Sequence, residues 1–304
     1  MSRSTSGDAI ADRRFAYAIE YRDAGEPRLA AELVAQALEQ APAWAEGWLV
    51  LGELHEQLGE NDSAADAYRR ALALDSSDRA GATARLVRLG EFHANALTPA
   101  HVAALFDDYA PRFEEALVER LGYRAPALLR EAIVSLGPRR FFRMLDLGCG
   151  TGLAGAALAD LCEAMDGVDL SSAMLKRAKE RGVYDVLTRA EIVQHVRTLP
   201  SASVELVVAA DVLVYIGDLA LLFSEAARVL AEGGLFAFTA QSEEAGPFRL
   251  GKDLRYAHSQ AAIRGWADSA GFAIRTLVEA STRQDGGHPV PGFLAVLEKK
   301  AGRD

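Results

Sequence analysis

The residues "MLDLGCGTG", Met144 to Gly152, are the most informative segment in the second half of the chain. An apolar run ends here in a loop with glycine at positions 148, 150 and 152. Glycine lets the backbone turn sharply and approach a ligand without side-chain obstruction. A helix that starts near Gly152 points its N-terminal amides at the bound group. The stretch therefore predicts a strand, a ligand-binding loop and a helix in succession.

Short apolar runs alternate with helical segments throughout this half of the chain. Helices such as Ser172–Arg181 and Leu219–Leu230 separate the first five runs, which predicts a parallel, doubly wound sheet. The last two runs are joined by a turn-rich segment and predict a closing hairpin. The predicted strands are Arg143–Leu147, Met165–Leu170, Val186–Ala190, Val204–Ala210, Leu235–Thr239, Phe272–Glu279 and Phe293–Glu298.

The N-terminal segment is self-similar at a shift of 34 residues. This shift aligns Gly25 with Gly59 and the pair Ala30–Ala31 with Ala64–Ala65. The period and the residue types resemble the tetratricopeptide repeat, a pair of antiparallel helices. An ordinary amphipathic helical bundle is the alternative.

The repeats need large side chains between their helices and a cap at the end. Trp48 and Tyr68 are expected to fill the space between helices that small residues bring close. Two repeats bury little alone, so we expect a following helix, Arg79–Leu89, to cap the stack. Residues 98–136 predict at least two more helices, the first with Thr98 as its N-cap before a proline.

Composition limits the classes of partner. The chain of 304 residues has a formal net charge of −10, which disfavours nucleic acid and favours small molecules or proteins. We expect a cytoplasmic protein, because no apolar run is long enough to cross a bilayer and Met1–Arg14 lacks the apolar core of a secretory signal. Cys149 and Cys162 support neither a disulfide framework nor a zinc site, and the six histidines show no metal-binding spacing.

A second motif, "GVDLS" at Gly167–Ser171, ends the next predicted strand. Asp169 can accept hydrogen bonds from both hydroxyls of a ribose. Together with the glycine loop and the later "LAEGGLFAF", this motif makes residues 141–299 resemble class I S-adenosylmethionine-dependent methyltransferases. The loop of this chain has the pattern G-x-G-x-G, whereas the loop of dinucleotide-binding enzymes has G-x-G-x-x-G. An adenosine-binding fold with another cofactor is the alternative.

The resemblance implies an α/β fold with a Rossmann-like, seven-stranded, doubly wound sheet behind an N-terminal all-α tetratricopeptide-repeat domain. The expected parts are 1–92 for the repeats, 93–140 for a helical linker and lid, and 141–304 for the methyltransferase domain. The implied cofactor is S-adenosyl-L-methionine.

The cofactor residues follow from the motifs and the resemblance. Asp146 suits the ammonium of the methionine moiety. The resemblance places Ala190 and Glu191 beside adenine, with Glu191 as a partner of the exocyclic amine; a solvated helix face is the competing interpretation for Glu191. The expected cofactor set is Asp146, Gly148, Cys149, Gly150, Gly152, Asp169, Leu170, Ala190, Glu191 and Ala210.

The acceptor end is expected at "AADVLVYIGDL", because ligands bind at the carboxyl edge of a doubly wound sheet. Asp211 and Tyr215 should face the reactive end of the cofactor there, although Asp211 is equally well explained as a capping carboxylate. The segment before the sheet resembles the lid of small-molecule methyltransferases. Its Tyr109 and Phe113 are expected either to close over the cofactor or to pack in a core.

A basic cluster is predicted beside the acceptor. The segment "RLGKDLRYAHS" contributes Arg249, Arg255 and His258, and Arg283 of the final hairpin is expected to join them. The cluster favours an anionic or carboxylate-bearing acceptor, with solvated surface charge as the alternative. His258 is the first candidate for general base and Asp211 the second.

The sequence thus predicts a methyltransferase that acts on oxygen or nitrogen of a small-molecule acceptor, with repeats that bind a protein partner or a second copy. A protein methyltransferase that recruits its target through the repeats and an inactive cofactor-binding scaffold are the alternatives.

Overall fold

The computed structural model describes residues 5–91, 97–114, 122–244 and 246–301. The chain divides into two compact units, Met1–Asp108 and Tyr109–Asp304. The division falls inside residues 93–140, the segment assigned from sequence to linker and lid.

The first unit is all-α, and its helices pair in the order of the chain. Helix α1 packs on α2, and α3 packs on α4. Both ends of α4 lie 34 residues after the ends of α2, which confirms the repeat period. The helices are α1 (Ala9–Asp23), α2 (Pro27–Gln40), α3 (Ala45–Gln57), α4 (Asn61–Leu74), α5 (Ala82–Arg88) and α6 (Pro99–Tyr109).

Close packing in the second repeat depends on a glycine beneath an aromatic ring. Tyr68 is fully buried, and a Cβ built on Gly52 would lie 2.4 Å from its Cε1 atom. Trp48 is only half-buried, with its Nε1 donating to the carbonyl oxygen of Pro42 at 2.8 Å. Both aromatic residues therefore pack between repeat helices, and Tyr68 is the more completely buried of the two.

The helix predicted at Arg79–Leu89 is shorter, because α5 begins only at Ala82. Asp78 has a φ of 54°, and its carboxylate accepts hydrogen bonds from the backbone N–H groups of Ala82 at 2.6 Å and Thr83 at 3.2 Å. The turn before the helix thus supplies the acceptor that the first helical N–H groups need. At α6 the predicted N-cap is confirmed, since Thr98 Oγ1 accepts from the N–H of His101 at 3.2 Å.

The second unit is built on one sheet with the strand order β3-β2-β1-β4-β5-β11-β8. The first five strands in this order are parallel, and β11 runs antiparallel to both β5 and β8. The α/β, doubly wound architecture with seven strands on the main path confirms the predicted fold. The strands are β1 (Phe141–Leu147), β2 (Cys162–Asp169), β3 (Val186–Arg189), β4 (Val204–Ala209), β5 (Leu230–Ser242), β6 (Phe248–Leu250), β7 (Tyr256–His258), β8 (Phe272–Glu279), β9 (Gln284–Asp285), β10 (His288–Pro289) and β11 (Gly292–Lys299).

Helices cover both faces of this sheet. Alternate strand residues point to opposite faces, so Phe236 and Phe238 join one core while Leu235 and Ala237 join the other. The first core contains α10 (Ile192–Thr198), α11 (Ala220–Val229) and α12 (Gln260–Ser269). The second contains α7 (Ala125–Ser135) and α8 (Leu153–Leu158). Helix α9 (Ser172–Arg181) connects β2 to β3.

The short strands β6 and β7 were not predicted. They form a hairpin, and β7 extends the sheet by pairing in parallel with the last residues of β5. The segment "RLGKDLRYAHS", which contributes to the predicted basic cluster, is therefore partly strand. The strand order reverses between β1 and β4, and this switch point positions the site at their carboxyl ends.

Candidate active site

The glycine loop after β1 adopts a backbone that L side chains rarely accept. Gly148, Gly150 and Gly152 have φ angles of 67°, 52° and 89°. A Cβ on Gly148 would lie 2.4 Å from Cγ2 of Val212, whereas a Cβ on Gly150 would meet nothing within 4 Å. The loop is thus packed closely at Gly148 and opens into space at Gly150, where a ligand can approach the backbone.

Asp146, at the end of β1, is a fully buried carboxyl group. The hydroxyl of Tyr184 donates to its Oδ2 at 2.5 Å, while Oδ1 has no hydrogen-bond partner among the described residues. Burial raises the pKa of Asp146 to about 7. A buried carboxylate oxygen without a hydrogen-bond partner is stabilised by a hydrogen-bond donor or by a cation. The ammonium of an aminoacyl group is both.

Tyr184 is a site residue that the sequence analysis missed. Its hydroxyl oxygen would lie 2.4 Å from a Cβ on Gly155, so α8 approaches the ring closely because position 155 is glycine. No motif contains this tyrosine. A glycine three residues after the last glycine of the loop was the available signal.

Asp169 connects the end of β2 to the glycine loop. Its Oδ2 accepts from the N–H of Gly150 at 2.9 Å, and its Oδ1 accepts from the N–H of Ser171 at 2.8 Å. A carboxylate at the end of the second strand of such a sheet can accept hydrogen bonds from the hydroxyls of a ribose. The side chain is 9% exposed, and Leu170 beside it is half-buried.

Cys149 lies inside the loop with its side chain packed against β2. A Cβ on Gly167 would lie 3.0 Å from its Sγ. Burial raises the pKa of the Cys149 thiol well above its ordinary value. The thiol is therefore a packing group and a poor nucleophile.

At the predicted adenine end, Ala190 and Glu191 follow β3. The N–H of Ala190 donates to the carbonyl oxygen of Asp169 at 3.1 Å. Both carboxylate oxygens of Glu191 cap α10, accepting from the N–H groups of Val193 at 3.0 Å and Gln194 at 2.8 Å. Glu191 thus has a structural role at the helix terminus, and its contact with adenine stays a prediction.

Asp211 follows β4 directly after the half-buried Ala210. It has a φ of 58°, and its N–H donates to Thr239 Oγ1 at 2.9 Å. Arg283 Nη1 lies 2.6 Å from Asp211 Oδ2, and the Arg283 side chain is only 2% exposed. Arg283 therefore does reach the acceptor end, where it forms a buried ion pair with Asp211.

Two half-buried tyrosines lie near this ion pair. Burial raises the pKa of Tyr215 and of Tyr123, and the charges of Asp211 and Arg283 act on both. The hydroxyl of Tyr215 is hydrogen-bonded to Arg255. The sequence analysis missed Tyr123, because a single tyrosine in a helical stretch carries no motif.

His258 lies in the interior of the protein. Its side chain is fully buried, and its Nε2 donates to the carbonyl oxygens of Ile216 at 2.9 Å and Gly217 at 3.0 Å. Burial lowers the pKa of the imidazole and favours its neutral form. This position argues against the expected role of general base. The hydrogen bonds instead fasten β7 to the loop that carries Tyr215.

Arg249 and the aromatic pair of the lid segment complete the predicted set. Arg249 is 68% exposed and pairs with Glu243, away from the buried cluster. Tyr109 and Phe113 meet edge to face with ring centroids 5.4 Å apart. The next residue, Glu114, lies 2.5 Å from Arg181, whose Nε donates to the carbonyl oxygen of Thr151 in the glycine loop.

Comparison with known proteins agrees with this geometry. Residues 145–238 match the family model of the methyltransferase domain, and residues 15–79 match that of the tetratricopeptide repeat. A ubiquinone biosynthesis O-methyltransferase from Paracidovorax citrulli is 30% identical over 122 residues, which cover 39% of this chain and 51% of the relative. The chain thus matches about half the length of this curated relative.

The chain resembles solved structures, and a match with a TM-score above 0.5 supports a shared fold. One is the methyltransferase described in complex with the Trm112 methyltransferase activator of Haloferax volcanii, with a TM-score of 0.54 and 18% identity over 67% of this chain and 99% of that chain. Another is a SAM-dependent methyltransferase from Methanosarcina mazei, with a TM-score of 0.46 and 16% identity over 56% of this chain and 97% of that chain. No helix in the described residues is both long and apolar enough to span a membrane. The chain thus carries a methyltransferase domain at residues 145–238, preceded by tetratricopeptide repeats at residues 15–79, as its sequence predicted.

Proposed function

We propose that this protein transfers a methyl group from S-adenosylmethionine to an oxygen or nitrogen atom of a small-molecule acceptor. One observation carries the proposal. Two carboxyl groups, Asp146 and Asp169, lie at the ends of neighbouring strands on either side of a glycine loop, and Asp146 Oδ1 is buried without a partner.

The residues fit this cofactor. Asp146 would bind the ammonium, Asp169 would accept from the ribose hydroxyls, and the open space above Gly150 leaves room for the chain between them. Charged groups at both ends of a ligand fix its orientation, which is the main requirement for a transfer reaction.

When bound, S-adenosylmethionine would supply an electrophilic methyl group to a lone pair of the acceptor, with the carbon–sulfur electron pair retained by sulfur. Asp211 then accepts the proton that an oxygen acceptor loses, and its pair with Arg283 holds the carboxylate in place. The rings of the half-buried Tyr123 and Tyr215 reduce the access of water to this end of the site.

Burial at the acceptor end favours a small molecule over a protein side chain. The Asp211 side chain is 18% exposed and that of Arg283 is 2% exposed, so an acceptor atom has to enter a confined space. The relative from Paracidovorax citrulli is named an O-methyltransferase, which favours an oxygen acceptor. The repeats then bind a protein partner or a second copy of the chain.

Cofactor binding is tested by calorimetry with S-adenosylhomocysteine, the demethylated product. Asp169→Asn is expected to weaken binding about 10- to 100-fold, because hydrogen bonds to a charged group contribute about 1.5 to 3 kcal/mol. The matched control is Asp185→Asn, because Asp185 Oδ2 also accepts a hydrogen bond from a backbone N–H group. The donor is Met165, in a different part of β2, at 2.8 Å. The control should change the affinity less than about threefold. Equal affinities of the two variants, or binding of a nicotinamide dinucleotide instead, would overturn the proposal.

The acceptor class is tested with cofactor that carries a labelled methyl group. Incubation with metabolite extracts and with proteins should place the label in small molecules. Label confined to macromolecules would favour the protein methyltransferase, and cofactor binding without any transfer would favour the inactive scaffold.

A further inference from the structure

Two arginines reach the acceptor end of the site, and they differ in how their charges are matched. Arg283 is buried and lies 2.6 Å from the carboxylate of Asp211. Arg255 is half-buried and hydrogen-bonded to the hydroxyl of Tyr215, and it forms no ion pair with a carboxylate in the described part of the chain. Only Arg283 therefore has its charge balanced by a direct partner.

Arg255 is held in this position by the hairpin of β6 and β7. It immediately precedes β7, which pairs with the end of β5 at Ser242 and His258. His258 in turn donates to the carbonyl oxygens of Ile216 and Gly217, directly after Tyr215 in the chain. The strand pairing and these hydrogen bonds together hold Arg255 beside Tyr215.

Arg255 is charged but has no carboxylate in direct contact with its guanidinium among the described residues, although the charges of Asp211 and Asp253 act on it. Burial raises the pKa of both Tyr123 and Tyr215, so their hydroxyl groups are neutral. Asp211 forms its ion pair with Arg283, so the guanidinium of Arg255 keeps its direct hydrogen bond to Tyr215 and no ion pair of its own in the described residues. The sulfonium of a bound cofactor would add a further positive charge. Partly buried charge of one sign is costly without a counter-charge, and a guanidinium matches a carboxylate with two parallel hydrogen bonds.

We propose that Arg255 binds a carboxylate group of the methyl acceptor, so that the enzyme selects small hydroxy or amino acids. The proposal rests on the methyltransferase function proposed above and names its substrate class. Tyr215 positions the guanidinium, and the acceptor atom lies toward Asp211.

The test uses the full chain saturated with S-adenosylhomocysteine and a library of small hydroxy and amino acids, each paired with its methyl ester. Wild-type protein should bind acids at least about tenfold more tightly than their esters, the range of one charge-assisted hydrogen-bonded pair. Arg255→Gln should reduce this ratio to about one. Arg249→Gln is the matched control, because Arg249 precedes β7 in the same hairpin but is exposed and pairs with Glu243.

The affinity for S-adenosylhomocysteine, measured for each variant, separates the two proposals. If wild-type protein does not bind it, the proposed function fails. If it binds and Arg255→Gln changes this affinity less than about threefold, the variant is folded and the acid-to-ester ratio reports on Arg255 alone. Equal binding of acids and esters by the wild type, no binding of any acid, or an unchanged ratio in Arg255→Gln would overturn the carboxylate site. An unfolded Arg255→Gln would be replaced by Arg255→Lys, which should lower the ratio while retaining the charge.

Discussion

The two halves of the candidate site are assembled over different distances along the chain. In the cofactor half, Gly150 and Asp169 are hydrogen-bonded across 19 residues, and each lies at the end of a strand that a motif identifies. In the acceptor half, Asp211 and Arg283 are paired across 72 residues. Backbone geometry dictates the residue types of the first half. The acceptor half is instead formed by oppositely charged side chains from distant segments of the chain. Local constraints are therefore visible in a single sequence, and long-range pairs are not.

The strongest disruption is expected from a substitution in the glycine loop, which belongs to the cofactor half of the site. Gly148→Ala places a Cβ at a φ of 67° and 2.4 Å from Val212. A left-handed backbone costs an L residue about 1 to 2 kcal/mol and overpacking about 1 to 3 kcal/mol, so we expect a total of about 2 to 5 kcal/mol. Calorimetry should show loss of detectable S-adenosylhomocysteine binding, and thermal unfolding should show the destabilisation.

The control for this variant is Gly182→Ala. Gly182 has a φ of 70°, but a Cβ there would meet nothing within 4 Å, and the residue caps α9. It should cost about 1 kcal/mol of stability with cofactor affinity unchanged. Intact binding by Gly148→Ala would contradict the close packing of the loop beneath Val212.

A smaller loss of stability is expected when the ion pair of the acceptor half is removed. Arg283→Met leaves the carboxylate of Asp211 in a largely buried site without its partner. Loss of one member of a buried pair costs about 3 to 5 kcal/mol, and the 18% exposure of the Asp211 side chain reduces our expectation to about 2 to 3 kcal/mol. Chemical denaturation measures this loss. S-adenosylhomocysteine affinity should change less than about threefold, since the two halves use different residues.

A double-mutant cycle isolates the pair. Asp211→Asn combined with Arg283→Met should be more stable than Arg283→Met alone, because no unpaired carboxylate remains. Additive destabilisation in the double variant would show that the two side chains do not interact.

The same distinction between local and long-range constraints explains what the sequence predicted. Helix α9 matches its predicted bounds, Ser172–Arg181, because Ser171 caps one end and Gly182 the other. Strand β8 matches Phe272–Glu279 for a similar reason, since a glycine ends the preceding turn. Repeat helices were found by period, and the glycine loop by its motif. These features are all specified by neighbours in the chain.

The missed and reassigned residues depend on tertiary contacts. Tyr184 is a site residue because its hydroxyl reaches Asp146, 38 residues away. His258 lies near the acceptor loop as expected, yet its ring binds backbone carbonyl oxygens 41 and 42 residues away. Arg249 and Arg255 come from one short segment, but only Arg255 reaches Tyr215. Side-chain direction in a hairpin of this kind is set by pairing with β5, which residue types do not reveal.

The weakest effect is expected from a change of pH, which alters the charge of Asp146 in the cofactor half. Burial raises the pKa of Asp146 to about 7, whereas the ammonium of the ligand is positively charged throughout the acidic range. Binding of that cation requires the carboxylate, so protonation below pH 7 competes with it. Affinity for S-adenosylhomocysteine should fall by up to about tenfold per pH unit below pH 7 and level off above it.

Stability of the ligand-free protein should respond to Asp146 in the opposite direction. Its folded pKa of about 7 lies above the ordinary value of 3.8, so the folded state holds a proton that the unfolded state has released. This contribution is fully present below pH 3.8 and is lost as the pH rises to 7, by up to about 1.4 kcal/mol per unit. Asp146→Asn removes both dependences, so each is measured as the difference between wild type and variant, by calorimetry for affinity and by denaturation for stability. A wild-type affinity that stays constant between about pH 5.5 and about pH 8 would show that the ammonium does not contact Asp146, because a carboxyl group with this pKa has to titrate within that interval.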